Sequence, residues 1–185
     1  MLDELYMDME EAVEKSLTVF RKEIARVRTG RASTSLLDTI RVDYYNVPTP
    51  LTQVASVSVP DARLIVVQPW EKSIIQEVEK AIAAADLGLN PVSDGNVIRL
   101  PIPALNEERR KELVRQVKKM AEDSKVAVRN IRRDFNEKLK KAEKGKDITE
   151  DDMHRAFDKT QDITNSYIKK IDDVLSHKEA EILEV

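Results

Sequence analysis

All seven prolines of this chain fall between Pro48 and Pro103, and none occurs before or after. Proline removes a backbone donor and clashes with the preceding turn, so helix interiors exclude it. The chain therefore divides itself into a helix-permitting start, a proline-punctuated middle and a helix-permitting end. At the start, Leu5, Met9, Val13, Leu17, Phe20, Ile24 and Val27 recur at spacings of three and four. This predicts an amphipathic helix that stops at Thr29-Gly30, where glycine supplies a C-terminal cap. After Pro103, Asn106 is a candidate N-cap, with Glu107 and Glu108 favourable in the first turn. Leu113, Val117, Met120, Ser124, Val128, Ile131, Phe135, Leu139 and Ala142 follow as a near-heptad seam up to Gly145. Such a helix is a rod of roughly 57 Å. A third helix opens at Thr149, whose hydroxyl can cap the amide of Asp152. Its seam is Met153, Phe157, Thr160, Thr164, Tyr167, Ile171, Val174 and Ile182. Three one-faced helices bury those faces against one another, so an antiparallel three-helix bundle is expected.

The middle has a different period. Residues 40–45 and 54–59 alternate as half-buried strands do, and Leu64-Ile-Val-Val67 is a short buried strand. Ser73-Ile-Ile-Gln76 has capping-box spacing and opens a helix to about Asp86, closed by Gly88. Asp94-Gly95-Asn96 turns the chain into a last strand at 97–100. The fold class is α+β: a bundle from residues 1–29 and 106–185, with a small β/α/β domain, residues 30–105, inserted into it. The chain crosses between the two near Thr29–Ser33 and again near Pro101–Asn106. A two-stranded crossing of this kind serves either as a hinge or as a rigid insertion, depending on contact area.

No catalytic constellation is legible. There are no cysteines, and the only histidines, His154 and His177, lie too far apart on one helix to share a metal. Glycine occurs four times, without a phosphate-cradling pattern, and no serine has a nucleophile-elbow context. The acids Glu150, Asp151 and Asp152 suit the positive end of a helix dipole better than metal chemistry. The expectation is a binding protein, not an enzyme, with no cofactor and no metal. The N-terminus is acidic where a secretory signal is basic. The uncharged stretch Val47–Pro60 has two internal prolines and cannot span a bilayer. A cytoplasmic protein without membrane contact is expected.

The net charge of −3 hides a segregation. Residues 107–146 carry fifteen Lys/Arg against eight Asp/Glu, a net of +7, whereas residues 147–185 carry five against eleven, a net of −6. Within the basic segment Lys111, Arg115, Lys118, Lys125, Arg129, Arg132 and Arg133 recur mainly at three and four, a stripe roughly opposite the apolar seam. A solvated face laced with i,i+4 ion pairs has a similar pattern. Against that, Arg129, Arg132 and Arg133 cluster within little more than a turn, and guanidinium forks onto phosphate. Aromatic residues are too few for a single-strand stacking platform, so the backbone of folded RNA is the better match. A charged protein scaffold and a DNA-binding architectural protein are the rival readings.

The stretches Arg28-Thr-Gly-Arg-Ala-Ser33, Tyr44-Tyr45 with Pro48-Thr-Pro50, Asp86-Leu-Gly-Leu-Asn-Pro91, Glu108-Arg-Arg-Lys111 and Val126-Ala-Val-Arg-Asn-Ile-Arg-Arg-Asp134 together resemble the bacterial ribosome recycling factor family. The resemblance runs essentially from end to end. It implies a near-L-shaped monomer that acts after termination. Such a protein binds large-subunit rRNA and, with elongation factor G and GTP, splits the ribosome and releases it from mRNA. Initiation factor three then helps keep the subunits apart. Carried over by motif, Arg110, Arg129, Arg132 and Arg133 become RNA-contacting residues. Gly30, Arg31, Ala32, Ser33, Pro101, Pro103 and Leu105 become the hinge, and Gly30→Pro is the substitution expected to stiffen it.

Overall fold

The computed structural model of the chain describes residues 1–184. Four helices carry most of it: α1 (Leu2–Ala25), α2 (Ile75–Ala84), α3 (Glu107–Lys144) and α4 (Glu150–Leu183). Six strands lie between α1 and α3: β1 (Arg41–Tyr44), β2 (Val47–Pro50), β3 (Ala55–Asp61), β4 (Leu64–Pro69), β5 (Val92–Ser93) and β6 (Ile98–Pro101). The chain forms two compact units, one of residues 1–28 with 107 onward, the other Thr29–Asn106.

In the helical unit the seams go inward. Met9, Val13, Leu17, Phe20 and Ile24 are buried along α1, and Leu113, Val117, Val128, Phe135 and Leu139 along α3. On α4 the buried stripe is Ala156, Thr160, Ile163, Thr164, Ile171 and Ile182. Met153, Phe157, Tyr167 and Val174, expected in that seam, are only half-buried, because the stripe is centred one position away from them. Lys118 pairs with Glu179 and Lys125 with Asp172, so a step of seven up α3 is a step of seven down α4, and the two run antiparallel. In contrast, α1 runs in the same sense as α4. Glu14 meets Tyr167, while Ile24 shares a groove with Val174 and Lys178. The two buried threonine hydroxyls of α4 are satisfied: Thr164 donates to the Thr160 carbonyl at 2.8 Å, and the Thr160 hydroxyl lies 2.8 Å from Asn136 Oδ1.

The ends of these helices have definite chemistry. At Thr149 the capping box forms, with Oγ1 accepting from the Asp152 amide at 3.1 Å and the Asp152 carboxylate accepting from the Thr149 amide. α1 does not run to Thr29-Gly30; it ends at Ala25 with Arg26 as its C-cap. The amides of Arg26 and Val27 turn back to carbonyls three residues earlier, which tightens and closes the last turn. Gly30 does have positive φ, +75°, but uses it elsewhere.

The second unit is antiparallel throughout. A four-stranded sheet has the order β3-β4-β6-β5, and β1 and β2 form a separate hairpin. The hairpin turns on Tyr45 and Asn46, both at positive φ, the type I′ geometry that matches strand twist. β2 contains Pro48 and Pro50 and has no counterpart in the periodicity. A two-stranded ribbon is all edge, so a missing amide there leaves no ladder broken. Leu37, Val42, Ile65, Val67, Val78, Ile82, Ile98 and Leu100 fill the core, with α2 lying against β1. A 3₁₀ turn over Lys72–Ile74 precedes α2, whose N-cap is Ile74 without a side-chain bond. The capping box read at Ser73 is thus not made, because Ser73 lies inside that turn.

Candidate functional site

The basic stripe of α3 is not one face but two. Lys118, Lys125 and Arg132 stand seven residues apart, which puts them on one flank of the helix. That flank faces α4: Lys118 pairs with Glu179 at 3.7 Å, Lys125 with Asp172, and Arg132 Nη1 donates to Gln161 Oε1 at 2.6 Å. Lys125 is accordingly only 18% exposed. These three do not lie opposite the seam, as the simple stripe had them. Lys111 begins the same seven-residue series but pairs with Glu107 on its own helix, at 2.8 Å, and Arg115, Arg129 and Arg133 stand further round towards the outward face. There Arg129 Nη1 pairs with Glu122 Oε1 at 3.0 Å, two turns back on the same face.

Charge compensation separates the arginines. Arg132 meets a neutral amide oxygen, and so does Arg133, whose Nη1 donates to Asn130 Oδ1 at 3.3 Å. Arg115 donates through Nε to the Lys111 carbonyl. Among the described residues none of these three has a carboxylate partner. Glu137, one turn after Arg133, is committed to Lys140 at 2.6 Å; that bond, with the lysine charge, holds its carboxyl below the ordinary range. Ion-pair lacing therefore explains Lys111, Lys118, Lys125 and Arg129, but not Arg115, Arg132 and Arg133. The seven-residue spacing of the α4-facing set was open to sequence reading; which arginine lacked an acid was not.

Arg129, Arg132 and Arg133 stand within little more than one turn. Arg110 does not join them: it lies about 28 Å away along the helix axis. There it lines a hollow of about 470 Å³ with Val114, Arg115 and Leu183.

The expected hinge residues are mostly anchored in the second unit. The Ala32 amide donates to the Ala62 carbonyl at 2.7 Å, and that of Ile102 to Arg63 at 2.8 Å, so both connections clasp the β3–β4 turn. Ala32 is buried, Pro101 pairs with Leu64 as the last residue of β6, and Ser33 Oγ accepts from the Ser35 amide. A Cβ on Gly30 would lie 2.8 Å from Leu105 Cγ, so the two connections touch side by side. Proline, locked near φ −65°, cannot adopt the +75° of Gly30 and would distort this contact instead of stiffening it. Among the described residues no group of His, Cys, Asp or Glu is arranged to hold a metal, and no helix is long and apolar enough to cross a membrane.

Known proteins match this chain over nearly their whole length. The family model described as ribosome recycling factor covers residues 20–183. The ribosome-recycling factor of Oleidesulfovibrio alaskensis is 55% identical over 184 residues, with 100% of both chains covered. That of Bacillus subtilis is 53% identical over 185 residues, again with both chains fully covered. A solution structure of the ribosome recycling factor superimposes with a TM-score of 0.76 at 40% identity, covering 100% of this chain and 98% of that one. A second structure, of the T. thermophilus factor in models with E. coli elongation factor G on the E. coli post-termination complex, gives 0.65 at 45% identity, with 99% of each chain covered. The chain belongs to the ribosome recycling factor family.

Proposed function

We propose that this chain recycles the ribosome after termination: with elongation factor G, which hydrolyses the GTP, it splits the post-termination ribosome and releases it from mRNA. Initiation factor three then holds the subunits apart. The chain performs no bond chemistry itself and needs no cofactor; it acts as a monomer in the cytoplasm, anchored on large-subunit rRNA. The observation that carries the anchoring is the adjacency of Arg132 and Arg133, two guanidiniums met only by amide oxygens. Phosphate supplies the missing countercharge and matches the guanidinium fork. Arg129 joins them by exchanging Glu122 for phosphate, and Arg110 makes a second, separate contact. The 38-residue α3 then acts as the stiff member through which a push on the second unit becomes leverage. Any pivot falls outside the clasped residues, in 26–29 and next to Asn106.

Sedimentation with purified large subunits tests this. Replacing Arg132 and Arg133 by Ala should weaken binding and flatten the dependence of log K on log salt by roughly 0.7–0.9 per lost phosphate contact. Lys111→Ala, whose partner is a glutamate, should change the slope far less. Equal slopes for all of these variants would remove the RNA contact from the account.

A further inference from the structure

Between α1 and α3 lies a groove of about 370 Å³ that none of the RNA-contacting arginines lines. Its walls are apolar at Val19, Met120 and Ala127, and its rim is acidic at Glu23 and Asp123. Val19 is 54% exposed in this wall. Neither rim carboxylate has a cationic partner among the described residues. Ser124 lines the same groove, only 9% exposed, and its Oγ is buried without a hydrogen-bond partner. A buried hydroxyl left unbonded is unfavourable, and two exposed acids without cationic partners set up a negative field at the rim. A cationic donor entering the groove answers both at once.

The acidic line continues. Asp134, eleven residues beyond Asp123, returns to within about 20° of the same side of α3, roughly 16 Å further along the axis. It too lacks a cationic partner among the described residues. About five residues of extended chain, at roughly 3.3 Å each, span that distance. RNA is excluded as the occupant, because phosphate and an unpaired acidic rim repel.

We propose that the α1–α3 groove docks an extended Lys/Arg-bearing segment of a ribosomal protein, seated on Val19, Met120 and Ala127, with a basic head group between Glu23 and Asp123 that bonds Ser124 Oγ. This rests on the ribosome-binding reading above and adds a protein contact to it, on the flank of α3 away from the α4-facing Lys118, Lys125 and Arg132. The sign of its charge makes it independent of phosphate anchoring.

Photo-crosslinking in the full-length chain tests it, with benzoylphenylalanine placed at Val19 and the protein bound to purified large subunits. The expected result is an adduct that maps to a Lys/Arg-containing peptide of a ribosomal protein. It should fall about tenfold in a Glu23→Gln/Asp123→Asn chain that still pellets with the subunits. Ser124→Ala should also lower the adduct, while the melting temperature of the free chain holds or rises because an unbonded buried hydroxyl is gone. An adduct to rRNA, no adduct from a chain that pellets normally, or an adduct indifferent to the neutral variants overturns the proposal. So does spermidine alone, if it occupies the groove and protects Val19 from reaction in free chain and complex alike. A parent chain that fails to pellet at all is a different result: it sinks the anchoring reading, and this one with it.

Discussion

Lys146 sits at φ +61°, in the left-handed region where an L side chain crowds the following carbonyl. The α3–α4 turn is built around it: the Gly145 amide bonds the Lys141 carbonyl at 2.9 Å, and the Asp147 amide reaches the Ala142 carbonyl at 2.9 Å. These bonds satisfy carbonyls that the end of α3 leaves open, and glycine is the usual residue at the left-handed position. Here the glycine stands one place early. Lys146→Gly should therefore stabilise the chain by about 0.5–1 kcal/mol despite the added freedom of the unfolded state, which a urea titration resolves as a raised midpoint at unchanged slope. A lowered midpoint would mean that the Lys146 side chain contributes more than its backbone strain costs. Sequence reading placed the helix end correctly at Gly145, since the seam stops there. It could not say that the strained residue is Lys146. Gly30 is the mirror case: a glycine read as a helix cap supplies its positive φ for a close approach to Leu105.

At the scale of elements, α1 and α4 are clasped by a polar contact over their shared hydrophobic seam. The Tyr167 hydroxyl donates to Glu14 Oε2 at 2.8 Å, Arg21 Nη1 lies 3.8 Å from the other carboxylate oxygen, and Lys170 Nζ stands 4.2 Å from the Tyr167 ring centre. Burial, then the bond to Glu14, pushes the Tyr167 phenol up to about 12. A phenol raised above its unfolded value near 10 adds stability that is whole below pH ~10 and lost as pH climbs towards 12. Melting temperatures taken from pH 9 to 12 should fall more steeply for the parent chain than for Tyr167→Phe, and the two curves should converge at the alkaline end. Lysine deprotonation affects both alike and drops out of the difference, so parallel curves would refute the clasp. The seams of all three long helices were legible because burial imposes one period on many residues. The electrostatic partition of α3 was legible only in part: spacing reveals the flank of Lys118, Lys125 and Arg132, but what faces that flank depends on α4. Short pieces such as β5 and the proline-bearing β2 carry no period, and only pairing with a neighbour defines them.

At the scale of the molecule, each unit has its own core and the chain passes between them twice. Both passages are secured on the second unit's side, by the amides of Ala32 and Ile102 on the β3–β4 turn and by the packing of Gly30 on Leu105. That unit therefore closes on itself: its ends are held together by its own contacts, and its core of Ile65, Val67, Val78, Ile98 and Leu100 owes nothing to the bundle. Domains of roughly 55–65 residues fold alone when their core is complete, and a fragment of residues 29–106 is longer than that. It should give a dispersed amide spectrum and a single cooperative melt. Within it, Gly30→Ala should cost about 1–3 kcal/mol through the clash and the left-handed φ. Adding Leu105→Ala should return the steric part and leave the backbone part. The leverage proposed above needs a second unit that stays folded while force passes through it, and self-closure at Gly30 and Leu105 meets that need. A fragment that remains disordered, with Gly30→Ala without effect, would mean that the bundle supplies the missing stability, and the second unit could not then act as a rigid body on its own connections.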